Sequence, residues 1–149
     1  MATIDRFEDI EAWKEARALA KSIYVASASG AFAKDFGLRD QIRRASVSIL
    51  SNVAEGFERG GDKEFLHFLS LAKGSCGEVR AQLYVALDQG YLPEDVFQRL
   101  IDHSLRISRL LGAFMTYLKG SDLRGPKFNT TAPRSRLGTR DLEPETISP

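Results

Sequence analysis

The chain has 149 residues, 43% hydrophobic and 28% charged, which suits one domain with a real core and is short for two. That composition excludes a chain disordered throughout, and apolar runs of only a handful of residues exclude a membrane span. The net charge of +1 is unevenly spread: residues 1–120 hold 16 basic and 16 acidic side chains, whereas residues 106–140 hold eight basic against one acidic, Asp122.

The N-terminus lacks the basic-then-apolar build of a signal peptide, and the single cysteine, Cys76, has no intramolecular partner. Both point to a cytoplasmic protein. The first helix is predicted over residues 7–27. Asp5 and Glu8 have the spacing of a capping box, and Ile10, Trp13, Ala16, Ala20, Ile23 and Tyr24 recur on one face. Residues 27–37, with two glycines and small side chains, read as a loop.

The second helix spans residues 38–58, with Leu38, Ile42, Ala45, Ile49, Val53 and Gly56 inward. Along one flank run Arg44, Ser48, Asn52 and Glu55, a polar stripe bordering the core. Gly60-Gly61 breaks this helix, and Asp62 is the expected N-cap of the next. The third helix covers residues 63–89, with Phe65, Leu69, Ala72, Cys76, Val79 and Leu83 at heptad-like spacing. A second sector, Phe68, Leu71, Ser75, Glu78 and Gln82, suggests contacts on two sides. The interior Gly74 and Gly77 each cost about 1 kcal/mol relative to alanine and call for a packing reason. Gly90 fits a left-handed C-terminal cap followed by apolar Tyr91.

Pro93 opens the fourth helix, whose stripe is Phe97, Leu100, Ser104, Ile107, Leu111, Phe114 and Leu118, with Gly120 as its end. Residues 121–149 hold four of the five prolines and no apolar period, and read as a disordered tail. Short connections make neighbouring helices antiparallel. The predicted architecture is an all-α, up-down four-helix bundle over residues 1–120 with a C-terminal tail over 121–149.

No catalytic, cofactor-binding or metal-binding set emerges. His67 and His103 sit on different helices outside any Glu-x-x-His motif, and Cys76 belongs to an inner stripe. Phosphate-cradling and nucleophile-elbow motifs are missing from the sequence. The polar stripe of Arg44, Ser48, Asn52 and Glu55 has two readings. It can line a small-ligand or enzyme site, or it can hold helices together, with Arg44 level with Glu78 for an ion pair. The structural reading is favoured. Nucleic-acid contact, in turn, would fall on the basic stretch: Arg106 and Arg109 on the fourth helix, and Arg124, Lys127, Arg134, Arg136 and Arg140 in the tail.

Gln41-Ile42-Arg43-Arg44-Ala45-Ser46-Val47-Ser48-Ile49 and Ser51-Asn52-Val53-Ala54-Glu55-Gly56-Phe57 resemble the signature of a bacterial four-helix bundle family encoded in intervening sequences of large-subunit ribosomal RNA genes. Phe7-Glu8-Asp9-Ile10-Glu11-Ala12-Trp13, Lys63-Glu64-Phe65, Gly74-Ser75 with Glu78, and Gly90-Tyr91-Leu92 extend the resemblance in order over residues 4–119. The resemblance implies a four-helix protomer in a homopentameric ring. It is also similar in fold to accessory variability proteins of diversity-generating retroelements, which bind nucleic acid and a reverse transcriptase. The expected function is a non-catalytic oligomeric binding or scaffold protein, with RNA, DNA or a nucleic-acid enzyme as partner.

Overall fold

The computed structural model describes residues 3–123, with side chains through 120. A 3-10 turn at Phe7–Asp9 precedes helices α1 (Glu11–Ala26), α2 (Gly30–Lys34), α3 (Phe36–Arg59), α4 (Asp62–Asp88) and α5 (Glu94–Leu123). No strand occurs among the described residues. The four long helices form an antiparallel up-down bundle in which each packs on its two neighbours around the ring α1–α3–α4–α5. Leu19, Ile23, Ile42, Ile49, Leu69, Leu83, Ile107 and Leu111 are fully buried at its centre. Each such side chain contributes about 1.5–3 kcal/mol of hydrophobic stabilisation relative to exposure.

The expected capping box at Asp5 and Glu8 does not form. Glu8 lies 3.6 Å from Arg6 instead, and α1 starts after Ile10 without a side-chain cap. Apolar anchoring explains the difference. Ile10 is buried with extended backbone, and Phe7 packs edge-on against Trp13 at 5.2 Å, so the entering chain is set by the core.

The stretch expected to be a loop holds the five-residue α2. Its one large side chain, Phe32, is buried and stacks on Tyr91 at 5.3 Å. Two phenylalanines, Phe32 and Phe36, among small residues are too few to set a period, so the sequence pattern did not reveal the helix. Asp35 ties this corner together: its Oδ1 accepts from the Leu38 amide as the N-cap of α3, and its Oδ2 accepts from the Tyr91 hydroxyl at 2.9 Å. Arg43 closes the other side, donating from Nε to Ser27 Oγ at 2.8 Å while lying 4.5 Å over the Tyr24 ring.

Gly60, at φ +88°, ends α3 in the left-handed region. Gly61 rather than Asp62 then occupies the cap position of α4, and Asp62 is its first helical residue. At the other end of α4 the expected glycine stop is present. The Gly90 amide bonds to Leu87 O, and the Tyr91 amide reaches back to Ala86 O, the paired bonds of a Schellman motif. Gly120 does not end α5, which continues to Leu123. An interior glycine only weakens a helix, by about 1 kcal/mol, and stopping one takes the left-handed turn seen at Gly60 and Gly90. The remainder of the expected tail lies outside the described residues.

At Gly56, α3 packs tightly against α4. A Cβ added to Gly56 would stand 2.6 Å from Phe68 Cβ and 3.0 Å from Phe65 Cδ1. Alanine gains about 1 kcal/mol of helix propensity over glycine, but a clash at a neighbour's Cβ cannot be relieved by rotating a side-chain tip. Gly56→Ala is therefore expected to destabilise the protein by about 1–2 kcal/mol net. Urea unfolding checks this, and a variant as stable as the parent would show that the two helices can separate freely.

Candidate functional site

The polar stripe of α3 lies against α4, where its members do different things. Ser48 Oγ and Ser75 Oγ share a hydrogen bond at 3.0 Å across the seam. Asn52 Nδ2 donates to Ser48 O at 2.8 Å and to Ser48 Oγ at 3.0 Å. The two hydroxyls are thus satisfied by one another, and Ser48 also by the Asn52 amide, as groups at a core margin must be. Glu55 accepts from Arg59 Nη2 at 2.9 Å, and Arg59 also lies 3.9 Å from Glu64 and 5.0 Å over the Phe68 ring. This part of the stripe braces the Gly60–Gly61 turn.

The expected Arg44–Glu78 ion pair is not formed. Both residues are exposed, and neither takes part in an ion pair among the described residues. The register was read correctly, since Ser48 meets Ser75 one turn away on each helix. At this level, however, the seam is closed by the serines, and both charged side chains project away from it.

Two polar clusters escaped the sequence reading. On the seam between α1 and α5, His103 Nε2 and Glu15 Oε1 stand 2.8 Å apart, and Arg106 Nε lies 3.6 Å from the same oxygen. The His103 hydrogen bond, aided by the Arg106 charge and opposed by partial burial, holds the Glu15 carboxyl below the usual carboxylate range. On the seam between α4 and α5, Arg80 Nη1 donates to Ser104 Oγ at 3.2 Å, and Ser104 Oγ donates to Cys76 O at 3.1 Å. Cys76 is fully buried, and burial pushes its thiol up to about 11 despite Arg80 and Lys73 nearby. A thiol kept protonated in this way is a poor nucleophile. Only three-dimensional pairing could reveal these clusters, because their partners lie 24 or more residues apart or toward opposite ends of the chain.

Of the basic residues singled out, Arg106 has part of its charge engaged by Glu15, and Arg109 is exposed without an ion pair. Arg124, Lys127, Arg134, Arg136 and Arg140 lie outside the described residues. His67 is exposed and packs edge-on against Phe68 at 5.5 Å. Among the described residues no group of three or more His, Cys, Asp or Glu is arranged to hold a metal. No helix among them is long and apolar enough to cross a membrane.

Fold and seams together define an all-helical up-down four-helix bundle protein, with side-chain hydroxyls bridging helices at the α3–α4 and α4–α5 seams. The family model described as 23S rRNA-intervening sequence protein matches residues 8–113, and the chain belongs to that family. Among solved structures it is similar to a protein of unknown function from the S23 ribosomal protein family of Bacteroides thetaiotaomicron VPI-5482. That match has a TM-score of 0.64 at 20% identity and covers 70% of this chain and 97% of the other. At that identity the likeness shows the fold. No curated protein matches the chain.

The lowered Glu15 carboxyl has a consequence for acid stability. A group whose pKa falls on folding stabilises the native state above its unfolded value, and that contribution is lost as pH drops through the folded value. Unfolding free energy is therefore expected to fall on acidification below the ordinary carboxylate range, and to fall less steeply in Glu15→Gln. Parallel urea titrations across that range check it, and identical pH slopes for the two proteins would remove Glu15 from acid unfolding.

Proposed function

We propose that the protein is a self-associating, non-catalytic binding or scaffold protein that serves as an accessory factor to nucleic acid. The outward line of α4 carries the self-association. Leu71, Gly74, Glu78, Ala81 and Val85 recur at alternating three- and four-residue steps, and all five are exposed. Leu71 and Val85 keep 44% and 46% of their surface accessible. Gly74, inside a 27-residue helix, has nothing within 4 Å of an added Cβ. Within one protomer, then, this glycine has the propensity cost of its residue type and no packing that uses its small size. A second chain laid along α4 supplies that use, because a heptad-spaced line that includes a glycine admits a neighbouring helix at short range there. Five-fold closure is what the family resemblance implies, whereas the line on α4 supports contact alone.

The competing reading, a small-ligand or enzyme site on the stripe, has less support. Ser48, Ser75 and Asn52 direct their polar groups at one another, and Glu55 is engaged by Arg59. The family description names no activity. The nucleic-acid part of the proposal rests on the basic stretch beginning at Arg106, which in an oligomer would be presented several times over and act multivalently.

Light scattering at micromolar concentration is expected to give a mass several times the 16.6 kDa protomer. Replacing Gly74 by arginine, or Leu71 by aspartate, should shift that mass toward the protomer while the helical circular dichroism is kept. A monomeric parent protein would end the scaffold reading.

Replacing Arg124, Lys127, Arg134, Arg136 and Arg140 by glutamine in the full chain should weaken binding to RNA and duplex DNA. If about five phosphates are engaged, the log–log salt slope for duplex DNA should lose about 4 to 5. Unchanged affinity and slope would take the C-terminal arginines out of the mechanism.

A further inference from the structure

We propose that the outer seam between α4 and α5, where Arg80 lies over Gly77 and Lys73 over Gly112 with Arg109 level with them on α5, contacts the phosphate backbone of a nucleic acid. This deepens the nucleic-acid reading above and rests on it, but it locates binding on the folded bundle instead of on the C-terminal stretch.

Three observations place the cations together. Arg80 crosses the seam to Ser104 on α5. The stem of Lys73 lies over Gly112, since an added Cβ there would meet Lys73 Cε at 3.5 Å. An added Cβ on Gly77 would meet Arg80 Nη2 at 3.8 Å and nothing nearer. The only side chains over either glycine are therefore basic ones. Arg109 is exposed and stands one turn before Gly112 on α5. The antiparallel register set by Arg80 with Ser104 and Lys73 with Gly112 puts Arg109 level with the interval between Lys73 and Arg80.

The seam is also uncompensated. None of these three residues takes part in an ion pair among the described residues, whereas Arg6, Arg39, Arg59 and Arg106 each stand within 4 Å of a carboxylate. Asp102 of α5 accepts a hydrogen bond from the neutral Gln98 amide at 3.0 Å and keeps its charge, but it forms no ion pair with any of the three among the described residues. Arg80 uses one guanidinium donor on Ser104, leaving others to face outward. Both Arg80 and Lys73 act on the buried Cys76 thiol, opposing the larger effect of burial, so their charges sit close against the protein. A low-dielectric wall beside a charge strengthens its outward field.

The pattern fits a phosphate chain better than an acidic peptide. Lys73 and Arg80 are two helical turns apart, about 10.5 Å along α4. That is roughly three steps of a nucleic-acid strand at about 3.4 Å each. Facing α5 between them is Gly77, over which only Arg80 lies within 4 Å of an added Cβ, so no apolar side chain stands there to hold a peptide side chain.

The test uses full-length protein with labelled RNA and labelled duplex DNA across a salt series, comparing the parent with Lys73→Gln/Arg109→Gln. Arg80 is left intact because it bonds Ser104. Lys73 and Arg109 are exposed, so the double variant should melt like the parent. The expected result is an affinity lower by roughly tenfold or more and a duplex salt slope smaller by about 1.8, two phosphate contacts at about 0.9 each. Unchanged affinity and slope, with binding lost in the C-terminal arginine variant, would overturn the seam and leave the wider reading standing. No binding by the parent at low salt would overturn both. Binding of poly-glutamate but not of either nucleic acid, lost in the double variant, would overturn the phosphate assignment in favour of an acidic protein partner.

Discussion

The close contact of α3 with α4 at Gly56, against Phe68, sets the geometry on which the rest of the bundle depends. With room for a hydrogen but not for a methyl group, the two helices are held at a fixed distance just before the Gly60–Gly61 turn. That distance then dictates what can fill the seam further along. Two turns up, the facing residues are Ser48 and Ser75, whose side chains are short enough to meet directly. Phe57 and Phe65 pack edge-on at 6.0 Å beside the glycine, and Phe65 meets Phe114 of α5 at 5.3 Å. One missing Cβ thereby couples the hairpin to the far side of the core.

The same economy governs the polar groups between helices. Hydroxyls are used where two helices touch, since a hydroxyl can be satisfied by a single acceptor and costs less to desolvate than a charge. Ser27, Ser46 and Ser104 are fully buried, and each donates to a backbone carbonyl. Charged side chains reach the seams only from outside, as Arg80 does at Ser104 and Arg43 at Ser27. The Glu15–His103 contact is the intermediate case, half-buried and therefore sensitive to pH in a way the serine contacts are not.

Charge balance over the bundle hides a strong segregation. Carboxylates are concentrated where helices begin or turn, beside Arg6, Arg39 and Arg59. The α4–α5 seam instead has basic side chains lying over glycines. A whole-chain charge near zero is thus compatible with a local field of one sign, because fields act over about 10 Å at moderate salt and not over the length of a bundle.

The sequence alone determined the four long helices, most of their inward residues and their antiparallel order, although Tyr24, expected inward, is exposed and the fully buried Leu19 was not in the expected stripe. Periodicity at three and four residues reports burial directly, and short glycine-marked connections admit only one arrangement of neighbours. The left-handed stop at Gly90 was legible for the same reason: its chemistry is local. Tertiary structure decided the rest. Whether Glu8 caps a helix or turns to Arg6, whether Phe32 makes a helix out of a small-residue stretch, and whether Arg44 meets Glu78 each depend on where a second segment lies. The polar stripe of α3 was visible as a row, but not its division into a serine contact, a braced turn and an outward arginine. Glu15 with His103, and Arg80 with Ser104, left no trace in spacing, because helices fix which residues share a face and only their packing fixes which faces meet.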